Sequence, residues 1–326
     1  SSTKGLDMNK KTRPTSSGEP LDVILYFSST YASRAALLGR SLSNYLNGGS
    51  IHALVTDEKS STVATKEGFE TSQFSKLLQI MPESDWDNKK FSEKLFTVGP
   101  RFALEVLQSL PNGRRVLYLN SDIYFFGNPH KLWDVASVKD ILIFPHHYSW
   151  LNKLRLGKFG IFNAGAIAIT NSAASRQIVL KWSDACIEWC YDRAQDGKYA
   201  DQKYLESFGS WGGSVSISNT KSNNLAAWVS KPSQRDVQNC LFYHFHGLIE
   251  HGDIVLLPHV QYLRQARREE KNLHQEYLTM LAVTEKELGL PSALRPRNRG
   301  ERPVKYWLML VLSILLGQYL KRKKAN

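Results

Sequence analysis

Cysteine is scarce in this sequence, with three residues among 326, Cys186, Cys190 and Cys240. Three are too few for a disulfide framework and their spacing is not that of a zinc ribbon, so a reducing compartment fits best. Cys186 and Cys190 stand one helical turn apart in I-V-L-K-W-S-D-A-C-I-E-W-C, which reads as helix packing rather than metal or redox chemistry. A membrane-spanning run is lacking as well. The apolar stretch from Trp307 to Leu320 covers about 14 residues, short of the roughly 20 that cross hydrocarbon. The start lacks the apolar centre of a secretory leader, because Ser1 to Pro20 is polar and basic and reads as a flexible tail. Met8 is the expected natural start, which would place Ser1 to Asp7 outside the natural chain. No internal repeat is found. The basic residues are not interleaved with aromatics as in an RNA-binding module, so no nucleic-acid partner is expected.

What is present is ordinary globular material: 42% hydrophobic and 22% charged residues exclude general disorder. The net charge of +12 calls for an anionic partner, and it is uneven. From Tyr262 to Asn326 there are 14 Lys and Arg against 6 Glu, an excess of +8 in the last fifth of the chain. Order is expected to begin at L-D-V-I-L-Y-F (Leu21 to Phe27), a buried strand, followed by a loop and an amphipathic helix from Arg34 to Leu46. A second strand, I-H-A-L-V-T-D, follows Gly48-Gly49. Further strands are read at Val116 to Leu119, Asp140 to Pro145 and Ile161 to Thr170, with a long helix from Ser172 to Asp192. Strands alternating with helices predict an α/β fold with a largely parallel sheet covered on both faces, and ligands beyond the carboxyl ends of its strands.

Four polar interruptions carry the chemistry. In V-L-Y-L-N-S-D-I-Y-F-F, the triplet Asn120-Ser121-Asp122 breaks an apolar run where a sheet would end. Oxygen ligands there suit Mg²⁺ or Mn²⁺ holding a diphosphate, whose charge the ion neutralises as a glycosidic bond breaks. Two carboxylates one residue apart are the usual means, and here the first is an amide. Alone, such a triplet is more often a strand end with an Asp turn or helix cap. F-N-A-G (Phe162 to Gly165) sets an amide and a glycine at another strand start, where glycine permits close backbone approach to a ligand. A-D-Q-K-Y-L offers Asp201 beside Gln202. F-Y-H-F-H-G-L supplies His244, His246 and Gly247. Each has a plainer reading: Asp201 as a helix N-cap, Asn163 bonding nearby backbone, and the two imidazoles buried and hydrogen-bonded to backbone.

The ordered series L-N-S-D-I, F-N-A-G, D-Q and H-F-H-G resembles the retaining glycosyltransferases of the glycogenin and bacterial lipopolysaccharide galactosyltransferase type. More closely, the chain is similar to a bacterial group of nucleotide-diphospho-sugar transferases, through P-H-H, K-F-G-I-F-N-A-G, G-K-Y-A-D-Q-K-Y-L and N-N-L-A-A-W. The match covers about Leu21 to Leu248. The resemblance implies a GT-A fold with a mixed, mostly parallel sheet, a UDP-sugar donor, Mn²⁺ or Mg²⁺, and retention of anomeric configuration. Carried over, Asn120 and Asp122 take the acidic metal-ligand positions and His244 the third. Phe27, Ser28 and Ser29 would hold the nucleoside, with Ser121, Asn163, Gly165 and Gly247 along the rest of the nucleotide sugar. Asp201 and Gln202 would lie under the anomeric carbon as the catalytic pair, and His146, Asn224 and Trp228 on the acceptor side.

Two departures qualify the match. Asn120 replaces a carboxylate, and Glu250 stands where the glycogenin-like branch has a diphosphate-binding Lys. Arg101 or Lys94 is expected to supply the missing positive charge. The domain is expected to run from residue 21 to 260. A basic helical extension over 261–326 would end in an apolar segment, 307–320, flanked by Lys305 and K-R-K-K. That segment fits an interfacial helix on an anionic membrane surface. The expected protein is therefore a bacterial glycosyltransferase of polysaccharide biosynthesis, cytoplasmic and peripheral on the inner face of the cell membrane. Its donor would be a nucleotide sugar and its acceptor a glycan or lipid-linked glycan. The competing expectation, favoured by Asn120 and Glu250, is a sugar-nucleotide-binding or scaffolding protein that kept the fold and lost catalysis.

Overall fold

The computed structural model describes residues 18–80, 86–136, 139–294 and 303–322. Most of the expected N-terminal tail with Met8, the Arg-rich stretch before Pro303 and the end of K-R-K-K lie outside the described residues.

In chain order the first strands are β1 (Leu21–Phe27), β2 (Ile51–Val55), β3 (Glu70–Gln73), β4 (Arg115–Asn120) and β5 (Ile123–Phe125). They are followed by β6 (Ile141–Pro145), β7 (Phe162–Thr170), β8 (Val215–Ile217), β9 (Leu225–Ala226) and β10 (Phe242–His244). The last are β11 (Ile249–His251), β12 (Ile254–Leu256) and β13 (Tyr319–Lys321). A seven-stranded sheet has the order β3-β2-β1-β4-β7-β6-β8. Its pairings are parallel except those of β7, which runs antiparallel to both β4 and β6. The fold is thus α/β, with a sheet largely parallel as the alternation of strands and helices predicts and mixed as the resemblance implies.

β1 and β2 are buried along their whole length, as continuous apolar runs covered on both faces must be. On one face Val23, Leu25 and Phe27 pack with the helix Ala32–Leu42. On the other, Ile24, Tyr26 and Tyr118 meet the helices Phe91–Ser109 and Ala173–Glu188. The reversal of β7 matters for function. It brings the start of that strand, Phe162 to Gly165, to the sheet edge where β1 and β4 end.

A second sheet, β5-β10-β9, grows from the turn after β4. β10 pairs antiparallel with β5, His244 opposite Ile123, and parallel with β9, His244 opposite Ala226. The C-terminal part is built into the body. Tyr277, Leu278, Leu281 and Leu294 share one hydrophobic cluster with Leu37, Leu225 and Phe245, so the boundary expected near residue 260 runs through a common core. The run read as one apolar segment divides into a helix, Pro303–Leu315, and β13, which pairs with β12. Among the described residues no helix is long and apolar enough to cross a membrane.

Candidate functional site

The polar triplet ends β4 beside β1. Tyr26 pairs in register with Asn120, and the Ser121 hydroxyl donates to the Tyr26 carbonyl at 2.8 Å, so Ser121 ties the two strand ends together. Asp122 then turns into β5, and the Phe245 N–H donates to the Asp122 carbonyl at 2.8 Å. That bond sets the Asp122 side chain between the two alternate residues that flank Phe245. His244 Nε2 lies 2.9 Å from Asp122 Oδ1, and His246 Nδ1 lies 3.7 Å from Oδ2. From the other side Arg34, buried in the helix after β1, approaches Oδ2 at 3.8 Å. Burial pushes the Asp122 pKa up, but the imidazoles of His244 and His246 outweigh it and hold the carboxyl well below its ordinary range.

Both ring nitrogens of His244 are buried; Nδ1 has no hydrogen-bond partner, and Nε2 meets only the Asp122 carboxylate, at 2.9 Å. A polar atom so placed asks for an explanation, because buried donors and acceptors are otherwise paired. The backbone-bonded imidazole expected as the plainer reading is therefore absent at His244. The donors fit a cation: one ligand atom each from Asp122, His244 and His246 lie within 4.8 Å of one another. Gly165 makes room for the ring. A Cβ there would stand 2.3 Å from His244 Cε1 and 2.6 Å from Asn163 Oδ1, so no other residue fits without moving them.

Two cavities meet at this point. One, of about 270 Å³, is lined by Phe27, Ser28, Thr30, Tyr31 and Phe91 and reaches Asn120, Ser121 and Asp122. The other, of about 310 Å³, is lined by His146, Asn163, Gly165, Asp201, Gln202 and Trp228. Tyr26, Phe96, Asn120 and His246 line both, so the junction lies over the end of β4.

The floor of the larger cavity is a chain of fixed hydrogen bonds. Asn163 Oδ1 accepts from the Gly165 N–H at 2.9 Å, which orients its Nδ2 as donor to Gln202 Oε1 at 3.1 Å. The Ala164 N–H reaches the same Gln202 oxygen at 3.3 Å, and Gln202 Nε2 donates to the Phe159 carbonyl at 2.7 Å. His146 Nδ1 faces the carbonyls of Gly160 and Ile161, both at 3.1 Å, so it carries the proton and leaves Nε2 as acceptor. Burial drives the His146 pKa down to about 4, against the opposing pull of those carbonyls, so the ring is neutral at pH 7.

Asp201 differs from its neighbours. It follows Ala200, a non-glycine residue at φ 43°, a backbone state that costs energy and tends to mark sites. Burial raises the Asp201 pKa to about 7 against the lowering effect of its own backbone N–H. The N-cap of the 3₁₀ turn Lys203–Ser210 is Gln202, without a side-chain cap bond, so the carboxylate of Asp201 does not cap it.

Several expected residues are not brought to the cleft. Arg101 pairs with Glu105 one turn along its helix at 3.3 Å, and Lys94 lies over the Trp86 ring at 5.6 Å. Neither lines either cavity. The Ser29 N–H donates to Asp57 at 2.9 Å, and Gly247 makes a turn at φ 78° against Pro258 rather than a cavity wall. Asn224 is buried off the wall with both amide atoms unpartnered. Glu250 faces away from the cleft, bonded to Arg322 and to the Ser292 hydroxyl, so no repulsive carboxylate confronts a diphosphate.

The cationic group that lines the cleft is instead Arg155, whose guanidinium donates to the Gln261 carbonyl at 2.9 Å and packs 4.8 Å from the Tyr262 ring, while Arg34 is buried behind Asp122. Tyr148 and Tyr262 join Trp228 as an aromatic wall. Trp228 is steadied from behind by Arg264, which donates to the carbonyls of Ala226 and Ala227 at 3.1 and 2.7 Å and pairs with buried Glu270 at 2.7 Å. No local pattern in the sequence singles out Arg34, Tyr148, Arg155 or Tyr262. They sit in helical or loop stretches whose periodicity says nothing of the cleft.

No protein-family model matches the chain. A curated relative, the uncharacterized protein YfnF of Bacillus subtilis (strain 168), is 26% identical over 173 residues, 48% of this chain and 57% of that protein. The chain thus spans little more than half the length of that relative. Among solved structures, galactosyltransferase LgtC in complex with donor and acceptor sugar analogs is 18% identical, with a TM-score of 0.46 over 69% of this chain and 87% of LgtC. The apo form of glycosyltransferase GlyE of Streptococcus pneumoniae TIGR4 is 17% identical, with a TM-score of 0.46 over 86% of this chain and 66% of GlyE. Glucosyl-3-phosphoglycerate synthase from Mycobacterium tuberculosis, in complex with Mn²⁺, UDP and glucosyl-3-phosphoglycerate, is 12% identical, with a TM-score of 0.36 over 84% of this chain and 82% of the synthase. What the cleft can do is decided by its own residues.

Proposed function

We propose that this protein is a glycosyltransferase that moves a hexose from a nucleotide diphosphate sugar, a UDP-sugar, to a glycan or lipid-linked acceptor with retention. The observation that carries the reading is the junction of two cavities over Asn120 and His246, beside Asp122. A nucleoside fits one side of it, between Phe27, Ser28 and Phe91, and a sugar the other, over Asn163, Asp201 and Gln202. Asp122, His244, His246 and the Asn120 amide would hold a divalent cation, Mn²⁺ or Mg²⁺ by the resemblance. When bound, such an ion offsets the charge on the departing nucleoside diphosphate.

The chain's own groups do the rest. Buried Asp201 supplies negative charge beside the developing oxocarbenium centre, where low polarity strengthens it. The Gln202 oxygen already accepts two N–H groups, which suits it to orient the sugar and present a fixed dipole rather than to attack carbon. Neutral His146 holds Asn163 in place at 3.4 Å. Tyr148, Trp228 and Tyr262 offer flat faces for an acceptor sugar. Positioning by these groups lowers the entropic part of the barrier.

A membrane-borne acceptor accounts for one more feature. On the helix Pro303–Leu315, Tyr306 and Leu310 are buried against Leu256, while Trp307, Leu308, Val311, Ile314 and Leu315 are exposed. An exposed apolar helix face in the most basic part of the sequence supports attachment to an anionic leaflet, on the cytoplasmic side of the cell membrane, for polysaccharide biosynthesis.

The test is isothermal titration of UDP with and without Mn²⁺, on the parent and on His244→Ala, followed by a donor-sugar turnover screen. The expected result is UDP binding that needs the ion and is lost on substitution. Binding that ignores both the ion and His244 would overturn the ion-assisted reading. Turnover that appears only in Asn120→Asp would favour the degenerate binder.

A further inference from the structure

We infer that His246 stands in for the carboxylate missing at Asn120, and that the resulting two-imidazole, one-carboxylate site selects a transition divalent cation such as Mn²⁺, Co²⁺ or Zn²⁺ against Mg²⁺. The inference deepens the proposed reading and rests on it only for the diphosphate that would complete the ion's surroundings.

Three observations carry it. First, the end of β10 is pinned so that both imidazoles face Asp122. Phe245 points the opposite way, stacked on Tyr277 at 3.9 Å between ring centroids and 5° between planes, with its N–H on the Asp122 carbonyl. His244 and His246, two residues apart, therefore share the other side. Trp228 packs against both rings, at 5.0 and 6.2 Å, and limits their rotation.

Second, the ring nitrogens that face Asp122 have that carboxylate as their partner, as ligands of one ion would. His244 Nδ1 lies against Gly165, where an added Cβ would come within 2.8 Å, which leaves Nε2 as the nitrogen that faces the carboxylate. Neither nitrogen makes an aligned hydrogen bond, and the Asp122 carboxylate is the group that Nε2 meets. His246 is exposed at the junction of the cavities, so an ion beside it is open to a diphosphate from the nucleoside side.

Third, the chemistry of the set is unsuited to Mg²⁺. That ion demands oxygen ligands in near-ideal octahedral geometry and leans on carboxylate charge, whereas imidazole nitrogen favours the later divalent ions. A single carboxylate, shared with Arg34 at 3.8 Å, provides little of what Mg²⁺ needs. The same low ligand charge leaves a bound ion with net positive charge for the diphosphate.

The experiment uses the full chain. MnCl₂, CoCl₂ and MgCl₂ are titrated calorimetrically with and without UDP, and the visible absorption of the Co²⁺ form is recorded. Expected are Mn²⁺ and Co²⁺ affinities at least on the order of tenfold above that for Mg²⁺, and a Co²⁺ spectrum that changes in His246→Ala with an affinity loss of about 10-fold or more. His246→Asp should shift preference back toward Mg²⁺. Because His246 is exposed, both variants should melt like the parent. Equal affinities for Mg²⁺ and Mn²⁺, or a His246→Ala variant that binds Mn²⁺ as the parent does, would overturn the inference. UDP binding with no ion effect would overturn it and leave the nucleotide reading standing. Selective ion binding without UDP binding would uphold it and remove the nucleotide reading instead.

Discussion

Replacing Asp201 with asparagine should stabilise the protein in a pH-dependent way while removing its activity. The Asp201 carboxyl is buried, and burial raises its pKa from 3.8 to about 7. Ionisation is therefore harder in the folded than in the unfolded chain. The stability tied to this group is fully present below about pH 4 and is lost as pH rises through about 7. At about 1.4 kcal/mol per pH unit, the loss reaches roughly 4 kcal/mol at pH 8 and above. The Asp201→Asn variant, nearly isosteric and unable to ionise, escapes that loss. Urea unfolding of parent and variant across pH 4 to 9 should give curves that converge near pH 4, separate up to about pH 7 and run parallel beyond. A separation that does not change with pH would refute the buried-carboxylate account. In the same variant transferase turnover should fall by about 10²–10³ if the carboxylate offsets charge in the transition state. Parent kcat/KM should rise as pH passes through about 7, since the charged form is the useful one.

Gly165→Ala would drive a Cβ to 2.3 Å from the His244 ring. A cost of about 1–3 kcal/mol and weakened Mn²⁺ binding are expected, checked by thermal melting and metal titration, with an unchanged melt as the refuting result. Arg322→Ala would leave Glu250 and largely buried Glu285 without their shared guanidinium. It should cost about 1–3 kcal/mol in denaturant unfolding, with partial recovery in Arg322→Lys. Serine at Trp307, Leu308, Val311 and Leu315 should reduce binding to vesicles containing anionic lipid by on the order of tenfold or more. The melting temperature should hold near the parent value because the buried face, Tyr306 and Leu310, is untouched. Undiminished vesicle binding would rule that helix out as the anchor.

Much of the scaffold could be read from local pattern. Mostly apolar runs such as Leu21–Phe27 are strands because a chain buried on both faces tolerates few polar positions; every residue of β1 is buried, and its one carboxylate, Asp22, pairs with His52 and Arg114. The polar triplet at Asn120 stood out because it interrupts such a run, and Ser121 and Asp122 within it are themselves buried. F-N-A-G and A-D-Q were legible as polar or glycine positions set in apolar surroundings, and the structure places all three stretches on one cleft.

Tertiary structure alone decided the rest. Which cation serves the cleft depends on helix packing, so Arg101 faces Glu105 while Arg155 reaches the cavity, and no periodicity distinguishes them. The reversal of β7 and the pairing of β10 with β5 bring Gly165, His244 and His246 to Asp122, residues far apart along the chain. The basic, apolar end of the sequence read as an appendage because composition is a local property. Its strand, β13, is completed by β12, and Arg322 is held by Glu250 and Glu285, partners no local pattern could reveal. The sequence determined which segments must be buried and where polar chemistry interrupts them. Only folding decided which of those interruptions meet, because contacts between distant segments arise from packing and strand pairing rather than from any pattern within a single segment.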